Sequence, residues 1–377
     1  MFSVGPVFKG IKMIPPGPHF VYYSSSNRDG NEFSPVVGFF IDACSSGVIV
    51  RKWHQQEERL VKLSDDEEER YSAAVKKLEF DHQLGPYDLN RYGDWKRISN
   101  YITKDTIRRI EPIGGEITVV SEAGVVDKGP KTAAEKALAE QLQKSKFSIP
   151  AEKPLKQRCY YTSIPRFVKN KSISGQELTS LNHDKTQLLE AILAKDCEGS
   201  EDLIIGELQF AFIAFLMGQS LEAFLQWKAL VSLFFSCIEA VSIDIFPLLP
   251  FYQKPIQFYF FIKVLYYQLH YGLQKDRSNT IEAEKGATVL LDESWLSTES
   301  FLHRFCKDFF SLVLEASVID GDLLTWTRKL KELLEGTLGW EFHQSSAVDG
   351  IYAEEDDEFA PVVEILDDAS FGEATAS

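Results

Sequence analysis

The chain has 377 residues, of which 44% are hydrophobic and 12% aromatic, enough for two domains with cores of ordinary size and too apolar for a globally disordered polymer. Its formal net charge is -16, which argues against nucleic acid as a direct partner, because phosphate recognition needs clustered positive charge. The five cysteines (Cys44, Cys159, Cys197, Cys237 and Cys306) lie far apart with no CxxC pair, so neither a zinc site nor a disulfide framework is indicated, and a reducing compartment is expected.

The first ten residues lack the basic region and apolar run of a signal peptide. Residues 19–24 (HFVYYS), 36–42 (VVGFFID) and 47–53 (GVIVRKW) then read as strands, rich in Val, Ile, Phe and Tyr and bounded by turn residues. Gly38 inside the second strand predicts a bulge or a close approach. Ser64, with Glu67 three residues on, has capping-box spacing, and predicts a helix that runs to about Leu84 and stops at Gly85-Pro86. An aromatic-rich loop with Tyr87, Tyr92 and Trp95 follows. Thr103 or Asp105 starts a short helix, and residues 116–121 (EITVVS) read as a further strand.

Residues 127–158 lose apolar character and carry three prolines, the pattern of a linker, with a weak helix at 133–144. From Gly175 onward the period is helical. One helix is expected from Thr179 or Ser180 to Lys195. Residues 207–217 (ELQFAFIAFLM) are apolar nearly all round, too short for a membrane span and suited to a buried core helix. Ser220 caps the next helix, at 221–237, and further helices follow at 256–271, 299–317 and from Asp320 to Gly336 or Gly339. Residues 243–255 hold three prolines and cannot form a regular helix. Beyond Trp340 the chain has eleven acidic residues and no Lys or Arg, so most of the net charge sits in the tail. Within it, an acidic run at 354–358 precedes a β-prone segment carrying Phe359, Pro361, Val362, Val363 and Ile365.

The chemistry of catalysis is mostly missing. The chain has no GxSxG, no phosphate-cradling glycine loop and no HExxH; its seven histidines are scattered, and His19 and His270 sit among aromatics as packed residues would. The expectation is therefore a binding protein and not an enzyme, without cofactor, metal, membrane contact or small-molecule substrate. Two features rise above solvated surface. Tyr87, Tyr92 and Trp95 either cover one end of the N-terminal core or form a contact surface, since Tyr, Trp and Arg dominate interface hot spots. Phe359, Pro361, Val362, Val363 and Ile365 suit a strand added to the exposed sheet edge of a partner. A second reading makes the chain a generic helical adaptor, with the 206–237 hairpin as a peptide groove.

Long motifs then carry a resemblance. The run Gly5-Pro6-x-Phe8-x-Gly10-Ile11-Lys12-Met13-Ile14-Pro15-Pro16-Gly17-x-His19-Phe20, Gly38-Phe39-Phe40, Leu84-Gly85-Pro86-Tyr87, Gly206-Glu207-Leu208-Gln209-Phe210-Ala211-Phe212, Glu222-Ala223-Phe224-x-x-Trp227-Lys228 and Ala360-Pro361-Val362-Val363-Glu364 resembles the A1-cistron splicing factor family over nearly the whole chain. That resemblance implies an α+β multidomain fold: a β-rich, sandwich-like N-terminal domain (1–126), a flexible linker (127–174), an all-α VHS-like C-terminal domain (175–343) and a disordered acidic tail (344–377) with a docking strand. It implies an assembly factor of the U5 snRNP in pre-mRNA splicing, present in cytoplasm and nucleus. Its partner would be the large U5 core protein, bound through its RNase H-like and Jab/MPN domains and held in a precursor state. Family members begin a few tens of residues earlier, so the expectation is a truncated or alternatively spliced eukaryotic member whose N-terminal sheet lacks strands.

Overall fold

A computed structural model describes residues 8–25, 34–118, 158–165, 174–238, 258–277, 300–316 and 319–342. The expected weak helix at 133–144, the proline-rich 243–255 and the whole tail, with Phe359, Pro361, Val362, Val363 and Ile365, lie outside the described residues.

The N-terminal region contains, in order, β1 (Gly10–Lys12), β2 (Gly17–Tyr23), β3 (Val37–Ala43), β4 (Lys52–His54), β5 (Arg59–Val61), α1 (Asp65–Lys76), β6 (Leu84–Pro86), α2 (Tyr92–Ser99), α3 (Lys104–Ile110) and β7 (Ile117–Thr118). The main sheet has the order β2-β3-β7, all antiparallel. β2 and β3 pair without interruption from Gly17 opposite Ala43 to Tyr23 opposite Val37, so Gly38 makes no bulge. A Cβ at Gly38 would stand 2.3 Å from Phe20 Cζ. Its bare backbone makes room for the Phe20 ring, which is the close approach that the glycine predicts.

Two expectations fail in this region. The strand over 47–53 reduces to Lys52–His54, which forms a short hairpin with β5. Ile49 and Trp53 remain 44% and 43% exposed. A β-prone run needs a pairing partner, and residues 47–51 have none among the described residues. The helix from Ser64 ends at Lys76, well short of Leu84. No residue of α1 is buried, so packing adds little to its own hydrogen bonds. Leu78 takes a left-handed φ of 64° and breaks the helix. Leu84–Pro86 becomes a strand parallel to β1 instead, a pairing of distant residues that local propensity does not reveal.

The C-terminal region is helical: α4 (Gly175–His183), α5 (Thr186–Asp196), α6 (Glu201–Leu216), α7 (Leu221–Phe235), α8 (Phe258–Arg277), α9 (Phe301–Glu315) and α10 (Gly321–Leu338). The single helix expected from Thr179 or Ser180 to Lys195 is two. Asp184 is extended, and its carboxylate accepts a hydrogen bond from the Thr186 N–H at 2.8 Å, opening a new helix. A complete capping box is at Ser174 and Glu177, where hydroxyl and carboxylate bond each other's backbone N–H groups; the Ser64 hydroxyl donates to the Glu67 carboxylate and caps no backbone N–H. Ser220, Ser300 and Asp320 cap α7, α9 and α10, and Gly339 ends α10 at a left-handed φ of 66°.

α6 is the centre of the molecule. Every residue from Ile204 to Leu216 is buried, and α7, α8, α2 and α3 all pack on it. One continuous core joins Phe20 and Phe40 of the sheet and Ile98, Ile107 and Ile110 of the small helices to the helical region. Phe40 stacks on Phe210 with centroids 4.3 Å apart. The β-containing and helical regions are thus two parts over a shared core.

Candidate functional site

The sequence-predicted aromatics converge. Tyr87 follows β6, and Tyr92 and Trp95 lie one turn apart on α2, which faces the start of β2. The imidazole of His19 sits at their centre. It stacks on Trp95 (5.9 Å, 10° between planes) and Tyr92 (6.3 Å), and meets Tyr87 edge-on at 5.3 Å. Trp95 Nε1 donates to the Pro18 carbonyl at 2.9 Å, and His19 Nε2 lies 2.7 Å from the Pro15 carbonyl. Burial holds the His19 pKa below its ordinary 6.5, against the opposing pull of that carbonyl. His19 is buried, as its aromatic neighbours in sequence imply, while Tyr87, Tyr92 and Trp95 are half-buried. The three side chains therefore close one end of the sheet and still show part of their rings at the surface, with Lys96 over the Tyr92 ring at 5.7 Å.

Sequence reasoning missed a second constellation, a polar joint between the two regions. The Glu207 carboxylate on α6 is fully buried. One oxygen accepts from the Thr162 N–H (2.8 Å) and from Gln226 Nε2 on α7 (2.7 Å). The other accepts from Thr162 Oγ1 and from Arg109 Nη2 on α3, both at 2.7 Å. Burying a carboxylate is costly unless charge and hydrogen bonds meet it, and here four donors do. Two residues on, Gln209 Oε1 accepts from the Tyr101 N–H at 2.8 Å while its Nε2 donates to Asn100 Oδ1 at 2.9 Å. Gly206 immediately precedes Glu207; a Cβ there would come within 2.5 Å of the Tyr101 carbonyl oxygen. The available signal was a Glu and a Gln inside an otherwise apolar helix, a pattern that demands buried partners.

The strap 158–165 completes this joint, with the Tyr160 N–H donating to the Ile110 carbonyl at 2.8 Å and Gln226 Nε2 donating to the Thr162 carbonyl at 2.9 Å. These residues belong to the stretch expected as flexible linker. They are packed because Glu207, Gln226 and Ile110 bond their backbone. The same packing corrects the adaptor reading. The 206–237 hairpin has its apolar faces covered by α2, α3, α8 and α9, so it offers no open peptide groove.

The buried cysteines among the described residues are not activated. Burial pushes the Cys197 thiol up to about 11 and raises Cys237 and Cys306 as well, which leaves these thiols protonated near neutral pH. A small cavity lined by Leu193, Ile204, Phe234, Phe258 and Phe261 holds one titratable side chain, Glu201. Among the described residues no group of His, Cys, Asp or Glu is placed to hold a metal ion, and no helix is long and apolar enough to cross a membrane.

The two sides of the polar joint coincide with two halves of one family. The AAR2 N-terminal domain matches residues 1–112, and the AAR2 C-terminal repeat region matches residues 161–343. The chain belongs to the AAR2 family. This is the A1-cistron splicing factor family that its motifs resemble. It is 28% identical to Protein AAR2 homolog of Homo sapiens over 376 residues, covering 96% of this chain and 88% of that protein. The Mus musculus homolog is 32% identical over 243 residues, 62% of this chain and 63% of that protein. The Caenorhabditis elegans homolog is 27% identical over 354 residues, 91% and 89% respectively. Arg109 lies in the first matched region, and Thr162 and Glu207 lie in the second, so the joint links the two AAR2 parts. Neither family description is that of an enzyme.

Proposed function

We propose that this AAR2-family protein is a non-catalytic assembly factor of the U5 snRNP in pre-mRNA splicing. In this reading it binds the large U5 core protein through that protein's RNase H-like and Jab/MPN domains and holds it in a precursor state. The observation that carries the reading is the ordered match of both AAR2 regions. The joined core supports it physically, because a binder that spans two domains of a partner needs its own parts held at a set angle. The helical region is read as VHS-like, within a division of 1–126, 127–174, 175–343 and 344–377. No cofactor, direct nucleic-acid contact, membrane or small-molecule substrate is part of the reading, and the protein is placed in cytoplasm and nucleus. Tyr87, Tyr92 and Trp95 supply aromatic contact area, and Phe359, Pro361, Val362, Val363 and Ile365 an added strand.

Affinity purification of the full chain and of a chain lacking 344–377, with bound proteins identified by mass spectrometry, tests this. The full chain is expected to recover the large U5 core protein, and the deletion to recover markedly less. Equal recovery removes the tail from the interface, and recovery of unrelated proteins alone rejects the assembly-factor reading.

A further inference from the structure

A third cluster of rings and cations lies where α2, α8 and α10 meet, outside both the His19 cluster and the polar joint. The Trp326 indole on α10 is flanked by two ammonium groups, Lys329 Nζ at 4.2 Å and Lys263 Nζ of α8 at 5.3 Å from the ring centroid. Tyr266 and Tyr267 of α8 each approach the indole at 5.6 Å. The Arg97 guanidinium of α2 lies 5.7 Å from the Tyr267 ring. Trp326, Tyr266, Tyr267 and Lys263 are half-buried, and Arg97 and Lys329 are exposed. Arg97 pairs with Asp94 at 2.8 Å, and Asp322 lies one turn before Trp326, but Lys263 and Lys329 have no carboxylate partner among the described residues. A cation over an indole face keeps its charge available outward, so this surface presents unneutralised positive charge beside aromatic area.

We propose that in the free chain the acidic run 354–358 docks on this surface, formed by Arg97, Lys263, Tyr267, Trp326 and Lys329, and holds the tail against its own body. Charge complementarity is the first argument: the chain beyond Trp340 has eleven acidic residues and no Lys or Arg. Reach is the second. Trp326 lies roughly 18 Å of helix from the end of α10. The chain from Phe342 to Glu354 spans up to roughly 40 Å when extended, so the run reaches the surface with slack. Binding of this kind is intramolecular and benefits from the high effective concentration of a short tether. Where the Proposed function holds, a partner must displace the acidic run before residues 359–365 are free to pair. That consequence rests on the partner reading, whereas the contact itself does not.

Zero-length carbodiimide cross-linking of the full chain alone, mapped by peptide mass spectrometry, reads the contact directly. Lys263 and Lys329 are expected to join carboxylates of 354–358 within the monomer. The yield should fall about fivefold or more from 0.1 M to 1 M salt, as the screening length contracts from about 10 Å to about 3 Å. Trp326→Leu, which keeps both lysines, should lower the same yield, and unchanged circular dichroism verifies its fold. Cross-links spread evenly over lysines elsewhere, or found only between two copies of the chain, overturn the proposal, as does a yield indifferent to salt and to Trp326→Leu. In a separate measurement, the full chain with Glu354→Gln, Glu355→Gln, Asp356→Asn, Asp357→Asn and Glu358→Gln should bind the large U5 core protein several-fold more tightly. A failure of every form to bind it would reject the partner reading and leave the cross-linking result to stand alone.

Discussion

Gly206 shows how much a single position decides. Its missing Cβ lets the Tyr101 carbonyl and the Thr106 side chain lie against α6, so the N-terminal helices seat directly on the core helix. Gly206→Ala gains helix propensity but meets backbone at 2.5 Å, and overpacking of this kind costs about 1–3 kcal/mol. Urea unfolding should show a lower midpoint for that variant; a higher one would mean that the joint opens at little cost. His19 sets a pH dependence. Burial lowers its folded pKa, and His303 is lowered for the same reason, so below about pH 6.5 the unfolded chain takes up protons that the folded chain does not. Stability is therefore whole above that pH and declines as pH falls toward the folded value. The melting temperature should drop between pH 7.5 and 5.5, and His19→Gln should make that drop shallower.

At the scale of elements, caps were the legible part. Ser220 and Asp320 stand where the helical period starts, and each accepts the backbone N–H three residues on, from Ala223 and Leu323. Asp320→Ala removes one such bond and should cost about 0.5–2 kcal/mol, seen as faster hydrogen exchange in the first turn of α10. The ends that depend on pairing were not legible. Leu84–Pro86 looks like the stop of a helix, yet it pairs with Gly10–Lys12, more than seventy residues away. Residues 47–51 have the composition of a strand and no pairing partner among the described residues. Composition states what a segment is able to do, and the neighbour decides whether it does so.

For the whole molecule, the shared core predicts cooperativity. Because Phe40, Ile98 and Ile110 belong to the same cluster as Phe210 and Phe224, the two regions should unfold in one calorimetric transition, not two. Glu207→Ala leaves Arg109 without its charge partner in the joint, and loss of a buried partner of this kind costs on the order of 3–5 kcal/mol. That variant should lower the single transition or split it into two. Unaltered melting would show that apolar packing alone fixes the angle between the parts.

Legible from the residues alone were the order of a β-containing region before a helical one, most helix starts, the burial of α6, the packed state of His19 and the family. Those are local or pattern properties: caps, periodicity, composition and long motifs. The fold had to supply the packing of the strap 158–165, the meeting of Glu207 with Arg109, Thr162 and Gln226, and the gathering of Tyr87, Tyr92 and Trp95 around His19. Such facts depend on residues that are distant in sequence and adjacent in space. A Glu in the apolar middle of a helix shows that partners must exist, and the fold alone names them.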